Sequence, residues 1–144
     1  MQAWARLLRA HASLARRFSR ELLATHGLTL NDYEVLLYLA QAPERRLRRV
    51  DLAERVLLTA SGITRLLDRL ERAGYVTRAT CPGDGRVTYA VLTESGLRKV
   101  RAAAPTHIGG IRGHLGELYS AAELETLAEL LARLADGDGR CDVD

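Results

Sequence analysis

Apolar residues recur every three or four positions through most of the chain, and this spacing predicts helices. The longest predicted helix spans residues 2–26 and ends at Gly27. Its apolar stripe consists of Trp4, Leu8, His11, Ala15, Phe18 and Leu22, widened by Leu7 and Leu14. A terminal helix with one broad apolar face has little to pack against in a small monomer, so the pattern predicts a partner chain.

Three further helices are predicted in the first half of the chain. A capping box of Thr29 and Asp32 begins the first, and Thr59 caps the third. The residues expected to face inward from the first are Tyr33, Leu36, Leu37 and Ala40. The predicted order is a helix from Thr29 that stops at Pro43, an extended stretch over residues 47–49, a compact helix around residues 51–56 and a helix over residues 60–73.

The pattern changes from helical to alternating after Gly74, which predicts β-strands over residues 76–79 and 87–92. Residues 80–86 join these strands, and their Pro-Gly and Asp-Gly pairs favour a protruding turn. The sequence therefore predicts a hairpin directly after the helix over residues 60–73.

Two predicted helices complete the chain. Thr93 caps the first, and Pro105 together with the glycines that follow it is expected to interrupt and bend that helix. A capping box of Ser120 and Glu123 begins the last helix, and residues 136–144 are predicted to be a disordered tail. The apolar face of the last helix consists of Leu124, Leu127, Leu130, Leu131 and Leu134.

The order of these elements predicts a mainly α protein with a small β-hairpin, an α+β fold. A chain of 144 residues is long enough for one domain with its own core and too short for two ordinary ones. Two short helices joined by residues 57–59 and followed at once by a hairpin form the pattern of a winged helix-turn-helix. We therefore predict a single domain over residues 1–144, with a winged-helix region at 29–92 and a helical dimerisation region at 2–26 and 94–135.

Positive charge is concentrated in the middle of the chain, although the net charge is only +3. Residues 45–86 contain ten arginines and five acidic residues, whereas residues 87–144 carry an acidic excess. A locally basic segment attracts polyanions such as DNA. Because the chain has no apolar run of about 18 residues and no signal-peptide pattern, we expect a cytoplasmic protein that does not associate with membranes.

The helix predicted over residues 60–73 has an apolar face and a polar face. The apolar face consists of Ile63, Leu66, Leu67 and Leu70; the polar face consists of Ser61, Arg65, Asp68 and Arg72, with Thr64 and Arg69 on its flanks. Such a helix can pack in the core while it offers hydroxyl and guanidinium groups to a DNA groove. Ser61, Thr64 and Arg65 are predicted to contact bases. Arg69 is predicted to contact a base or a phosphate.

The alternative interpretation is a solvated helix face that the ion pairs Arg65–Asp68 and Asp68–Arg72 stabilise. The hairpin favours DNA binding, because Arg78 and Arg86 lie on it and arginine on a β-ribbon can enter a minor groove. A helix-turn-helix followed by a basic hairpin is a more specific indication of DNA binding than either part alone.

Several motifs of this segment resemble those of one family of regulators. Residues 59–78 read TASGITRLLDRLERAGYVTR, and residues 84–86 and 92–96 read DGR and LTESG. Together with Leu28-Thr29 and Leu52-Ala53, they resemble the recognition helix, wing and wing exit of the MarR family of winged helix-turn-helix transcriptional regulators. The wing differs at Gly85, where that family commonly has a second arginine.

The resemblance implies a homodimer formed by the first and last helices, an inverted-repeat operator in double-stranded DNA and regulation by a small-molecule effector. It also implies that Asp84 orients the wing and that Arg86 reaches the minor groove. The predicted function is sequence-specific transcriptional regulation, with repression favoured over activation. The predicted DNA-binding residues are Thr59, Ser61, Thr64, Arg65, Arg69, Arg72, Arg78, Asp84 and Arg86.

Other chemistry has weaker support in the sequence. An effector could contact Trp4, His11, Tyr33 and Leu36, although these residues also suit a dimer interface and a core. The histidines lack acids or cysteines at metal-ligand spacing, and no motif of an enzyme is present, so neither a metal, a cofactor nor catalysis is expected. The remaining alternatives are a helical dimeric module that binds a ligand or a protein without DNA readout, and a redox switch at Cys81, which like Cys141 can instead be an incidental thiol.

Overall fold

The structure, a computed structural model, describes residues 1–81 and 84–136, and leaves out the side chains of residues 81, 84–86, 135 and 136. Six α-helices and three β-strands make up this part of the chain. The helices are α1 (Gln2–His26), α2 (Leu30–Gln41), α3 (Arg49–Arg55), α4 (Ala60–Arg72), α5 (Glu94–Leu118) and α6 (Ala121–Asp136). The strands are β1 (Arg46–Arg48), β2 (Val76–Cys81) and β3 (Asp84–Leu92), and a short 3-10 helix covers Pro43–Arg45.

The predicted helix termini are confirmed where local side chains determine them. Gly27 ends α1 in the left-handed conformation, with φ of 66°. At the start of α2, the Thr29 amide donates to Asp32 Oδ2 over 2.9 Å and the Asp32 amide donates to Thr29 Oγ1 over 3.1 Å, which completes the capping box. Ser120 and Glu123 form the equivalent box before α6.

The sheet contains one strand more than the hairpin that was predicted. The three strands are antiparallel in the order β1-β3-β2, and Leu47 of β1 pairs with Ala90 of β3. The hairpin strands are also longer than predicted, because β2 extends to Cys81 and β3 begins at Asp84. The short extended stretch before α3 is therefore part of the wing sheet.

The predicted interruption at Pro105 was wrong, because α5 continues through Pro105 to Leu118, whereas the predicted bend stays a prediction. Proline removes one backbone donor from a helix, but packing on both sides can maintain the helical backbone. Ala103 is fully buried in the core, and Thr106 Oγ1 lies 2.8 Å from His26 Nε2 of α1. These tertiary interactions outweigh the local cost of the proline.

The chain divides into two compact units, Met1–Ile108 and Gly109–Asp144, with the boundary inside α5. The core of the first unit takes buried side chains from α1 to α5 and from strands β2 and β3. The residues with the largest fully buried side chains are Leu22, Leu28, Val35, Leu36, Leu39, Leu52, Ile63, Leu70 and Val76. Leu37 and Ala40, which were predicted to face inward, are half-buried and pack against this core.

Apolar side chains remain exposed at both ends of the chain. On α1, burial begins only at Phe18, and the indole of Trp4 is 62% exposed. On α6, the predicted apolar face is exposed at Leu127, Leu130, Leu131 and Leu134. The predicted tail lies outside the described residues except for Asp136, the last residue of α6.

A tight connection holds the end of the hairpin against the turn after α4. Thr93 Oγ1 donates to the Gly74 carbonyl over 2.7 Å, and the Thr93 amide donates to the Tyr75 carbonyl over 3.1 Å. The same Oγ1 accepts from the Gly96 amide over 3.0 Å. A Cβ at Gly96 would lie only 2.2 Å from the Tyr75 carbonyl oxygen, so the first turn of α5 requires glycine at this position.

We expect Gly96→Ala to lower the free energy of unfolding by about 1–3 kcal/mol, because the added methyl group overlaps backbone that cannot easily move. Gly113→Ala is the matched control in the same helix: nothing lies within 4 Å of its Cβ position, and alanine favours a helix interior by about 0.5–1 kcal/mol. Urea unfolding at one protein concentration measures both changes. Equal effects of the two substitutions would contradict the close approach at Gly96.

The ring of His107 packs between two aromatic side chains of the core. Its centroid lies 5.6 Å from that of Phe18 and 4.7 Å from that of Tyr33. Its buried Nδ1 has no hydrogen-bond partner among the residues that the structure describes. Burial lowers the pKa of His107 below its ordinary value, and the negative charge of Glu21 opposes this effect only in part.

A lowered histidine pKa makes the fold sensitive to acid. Above the unfolded-state pKa of about 6.5 both states are neutral, whereas below it the unfolded state takes up the proton first and stability falls. We expect wild type to lose more stability than His107→Phe when the pH is lowered from about 7.5 to 5. Urea titrations across this range give both curves, and parallel curves would show that His107 does not carry the effect.

Candidate nucleic-acid interface

Helix α4 lies with one face in the core and is held at its start by a side-chain cap. Thr59 Oγ1 accepts from the Gly62 amide over 3.1 Å, as the sequence predicts for an N-cap. The buried face consists of Ile63, Leu66, Leu67 and Leu70, the four residues predicted from their spacing. Between α3 and α4, the exposed Leu57 adopts φ of 54°, and this turn sets the angle of a helix-turn-helix.

The N-terminal half of α4 presents three of the predicted base contacts. Ser61 and Arg65 are exposed, and Thr64 is half-buried. Thr64 Oγ1 donates to the Ala60 carbonyl over 2.8 Å and accepts from Arg49 Nη1 over 3.3 Å. Arg65 forms no ion pair or hydrogen bond with the side chains that the structure describes, so its guanidinium group is available to a ligand.

The arginines in the second half of α4 have partners within the chain. Arg69 forms an ion pair with the buried carboxylate of Asp32 at the start of α2. Arg72 Nε donates to the Asp68 carbonyl oxygen over 3.1 Å. These arginines are therefore less free to move towards DNA than Arg65.

The acidic residues of α4 pair with the hairpin rather than with α4 itself. Arg78 of β2 forms ion pairs with Asp68 and, over 3.1 Å, with Glu71. The alternative side-chain pairs Arg65–Asp68 and Asp68–Arg72 are not among the ion pairs of the described residues. The wing is thus attached to the recognition helix by charge, and part of its positive charge is neutralised.

The tip of the wing lies largely outside the described residues. The backbone of Asp84 and Arg86 belongs to β3, and Cys81 pairs with Asp84 at the end of the ladder. The side chains of these three residues, and Cys141 altogether, lie outside the described part of the chain. Their predicted roles stay predictions.

Three arginines on β1 and at the start of α3 were not predicted as site residues. Arg49 reaches Thr64 on the recognition helix. Arg48 pairs with Asp51 over 2.8 Å, and the Arg46 guanidinium lies over the ring of Tyr89 at 5.3 Å. The run of arginines in the sequence marked the segment as basic, but only the tertiary contact of α3 with α4 brings Arg49 next to the recognition helix.

The four residues predicted to bind an effector lie on α1 and α2, and their role stays a prediction. Trp4 and His11 are exposed on α1, whereas Tyr33 and Leu36 are buried in the core, where burial raises the pKa of Tyr33. A cleft of about 460 Å³ lies between α1, the start of α2 and α4. It is lined by apolar residues, by Ser19, Thr29 and Asn31 and by Arg16, Arg65 and Arg69.

Neither a cluster of metal ligands nor a membrane-spanning helix is found among the residues that the structure describes. There, no group of three or more histidine, cysteine, aspartate or glutamate side chains could hold a metal ion. Nor does any helix of residues 1–81 and 84–136 combine the length and the apolar content that a membrane span requires.

Comparison with known proteins agrees with this geometry. Residues 26–87 match the MarR family. The HTH-type transcriptional regulator MhqR of Bacillus subtilis is 30% identical over 128 residues, which cover 89% of this chain and 86% of that protein. This chain belongs to the MarR family.

Further members of the MarR family and related regulators are similar in sequence and fold. The HTH-type transcriptional repressor YetL of Bacillus subtilis is 32% identical over 111 residues, which cover 77% of this chain and 66% of that protein. The MarR family transcriptional regulator Sco3205 from Streptomyces coelicolor, solved in complex with DNA, has a TM-score of 0.85 and 30% identity, covering 99% of this chain and 89% of that chain. The predicted fold class, a mainly α winged helix protein, is confirmed.

The ion pair between Asp68 and Arg78 predicts how the salt dependence of DNA binding changes in this MarR family protein when Asp68 is replaced. Asp68→Asn removes a negative charge from α4 and leaves Glu71 as the one remaining acidic partner of Arg78 among the described residues. We expect the plot of log affinity for random-sequence duplex against log salt concentration to become steeper, by at most about 0.9 per protomer. Fluorescence anisotropy at several salt concentrations measures this slope. An unchanged slope would contradict the view that the Asp68–Arg78 pair limits phosphate binding.

Proposed function

We propose that this protein is a sequence-specific transcriptional regulator, more specifically a cytoplasmic repressor, that binds an inverted repeat as a homodimer and has no catalytic activity. The observation that carries the proposal is helix α4, whose apolar face is buried while Arg65 on its opposite side is exposed and unpaired among the described side chains. The name of the relative YetL supports repression as the outcome of binding.

Helix α4 has the chemistry needed to read bases in a major groove. A major groove admits one α-helix, and arginine bound to the O6 and N7 atoms of guanine is the commonest base-specific contact. Arg65 takes this role in the proposal, and the hydroxyl groups of Ser61 and Thr64 contact neighbouring base edges. Residues in the N-terminal half of a recognition helix are the ones that reach the bases.

In this proposal, residues around α4 contact the DNA backbone. Arg49, Arg72 and Thr59 surround the base-reading residues and contact phosphates, which fix the register of the helix without reading sequence. Arg86 enters the minor groove, Asp84 orients the wing, and Arg78 supports the wing through its ion pairs with α4. The wing sheet includes β1, on which Arg46 and Arg48 share one face because they are two residues apart.

Dimerisation follows from the apolar side chains that the single chain leaves exposed. The N-terminal half of α1 and the apolar face of α6 would be covered by a second copy, as a pair of terminal helices with broad apolar faces requires. Two copies of α4 would then enter successive major grooves about 34–36 Å apart. A small effector in the cleft between α1 and α4 would contact Arg65 and compete with DNA for it.

The proposed contacts are tested by substitution of two arginines and one control. Arg65→Ala is expected to weaken binding to a duplex selected from a random library by about 1–3 kcal/mol and to relax preference at one base pair of each half-site. Arg86→Ala is expected to weaken binding to all sequences, most strongly where the minor groove is narrow. Arg101→Ala, an exposed arginine of α5, is the charge-matched control.

Gel-shift titrations of the wild type and the three variants measure these effects. If Arg65→Ala and Arg86→Ala both bind like wild type, the assigned contacts are wrong. If the wild type selects no sequence from the library and does not bind duplex in a salt-dependent way, the proposal of DNA readout fails as a whole.

A further inference from the structure

Asp32 is the one buried charged residue among those that the structure describes, with a side chain only 3% exposed. Its Oδ2 atom accepts the Thr29 amide as part of the capping box of α2. A buried carboxylate is stable only when further donors or an opposite charge satisfy its remaining oxygen. The capping box therefore leaves Oδ1 in need of a partner from elsewhere in the fold.

Arg69 of α4 supplies that partner, since its Nη2 atom donates to Asp32 Oδ1. The two residues are 37 positions apart in the sequence. Arg69 is half-exposed, whereas Asp32 is enclosed, so the arginine meets the carboxylate at the surface of the core. The ion pair connects the first turn of α2 directly to the recognition helix.

The same turn of α2 is also connected to α1. The Leu30 amide donates to Ser19 Oγ over 3.2 Å, one residue after the capping threonine. The polar connections thus run from α1 through the start of α2 to α4, beside the apolar core that the three helices share. Arg65, one turn before Arg69 on α4, has no such connection among the described side chains.

We infer that Arg69 is a positioning residue that orients the recognition helix through Asp32, and that it does not contact DNA. The inference rests on the proposed function and replaces the base or phosphate contact predicted for Arg69 from its place on the helix flank. Movement of Arg69 to a phosphate would leave the Asp32 carboxylate buried without a cation, an arrangement that proteins avoid. The buried apolar face determines which side of α4 faces outward, and the ion pair fixes the rotation of α4 within that arrangement and, with it, the direction of Arg65.

The inference predicts that removal of either partner weakens DNA binding in the same way. We expect Asp32→Asn and Arg69→Gln each to weaken binding to the library-selected duplex about tenfold, which equals the loss of about one base contact. The double substitution should be no weaker than either single one, because both remove the same ion pair. Binding to random-sequence duplex should be unchanged, so the ratio of specific to non-specific affinity falls.

The salt dependence distinguishes positioning from contact. If Arg69 only positions α4, the slope of log affinity against log salt concentration on random duplex stays at its wild-type value in Arg69→Gln. If Arg69 binds a phosphate, that slope falls by about 0.9 per protomer, and Asp32→Asn tightens binding because it releases the arginine. Either of these two results would overturn the inference.

Controls separate the inference from effects on folding and from the proposed function. Affinities are compared at equal concentrations of active protein, with folding checked by urea unfolding, and Arg69→Lys is included because it keeps the charge and restores part of the pairing. Variants that are less stable but bind the selected duplex with wild-type affinity would assign the ion pair to stability alone and overturn positioning. Absence of selection by the wild type would instead refute the proposed function.

Discussion

The burial of one face of α4 is the constraint on which the rest of the structure depends. Ile63, Leu66, Leu67 and Leu70 belong to the core of Met1–Ile108, to which α1, α2, α3, β2, β3 and α5 also contribute buried side chains. Because these four positions face inward, Ser61 and Arg65 must face outward on the same helix. The hydrophobic effect therefore stabilises the fold and exposes the residues proposed to read DNA in one step.

Polar interactions then decide how this exposed face is held. The cap at Thr59, the ion pair of Arg69 with Asp32 and the pairs of Arg78 with Asp68 and Glu71 attach α4 to its own turn, to α2 and to the wing. Most of these groups are partly solvated, so each contributes little to stability. Their geometry matters more, because a recognition helix must present its side chains in one direction. Positive charge that such pairs neutralise is not available for phosphate binding, so the number of arginines overstates the charge that DNA meets.

Signals within a few residues were sufficient for much of the fold. Gly27 as a helix end, the capping boxes at Thr29 and Ser120 and the four inward positions of α4 follow from interactions between neighbours in sequence. The interruption expected at Pro105 was wrong because interactions between residues far apart in the sequence also act on α5. Proline disfavours a helix through the local backbone, whereas the packing of Ala103 and the contact of Thr106 with His26, 80 residues away, favour it.

The sequence by itself determined the family, the order of the elements and the face of α4 that can meet DNA, because periodicity, caps and motifs are local properties. Only the tertiary structure decided which arginines are engaged and with what. The pairing of Arg69 with Asp32, the approach of Arg49 to Thr64 and the addition of β1 to the wing join segments far apart in the chain. Spacing along one helix predicts neighbours on that helix, but charges from several helices and strands compete for the same partners, and their choice depends on how those elements pack.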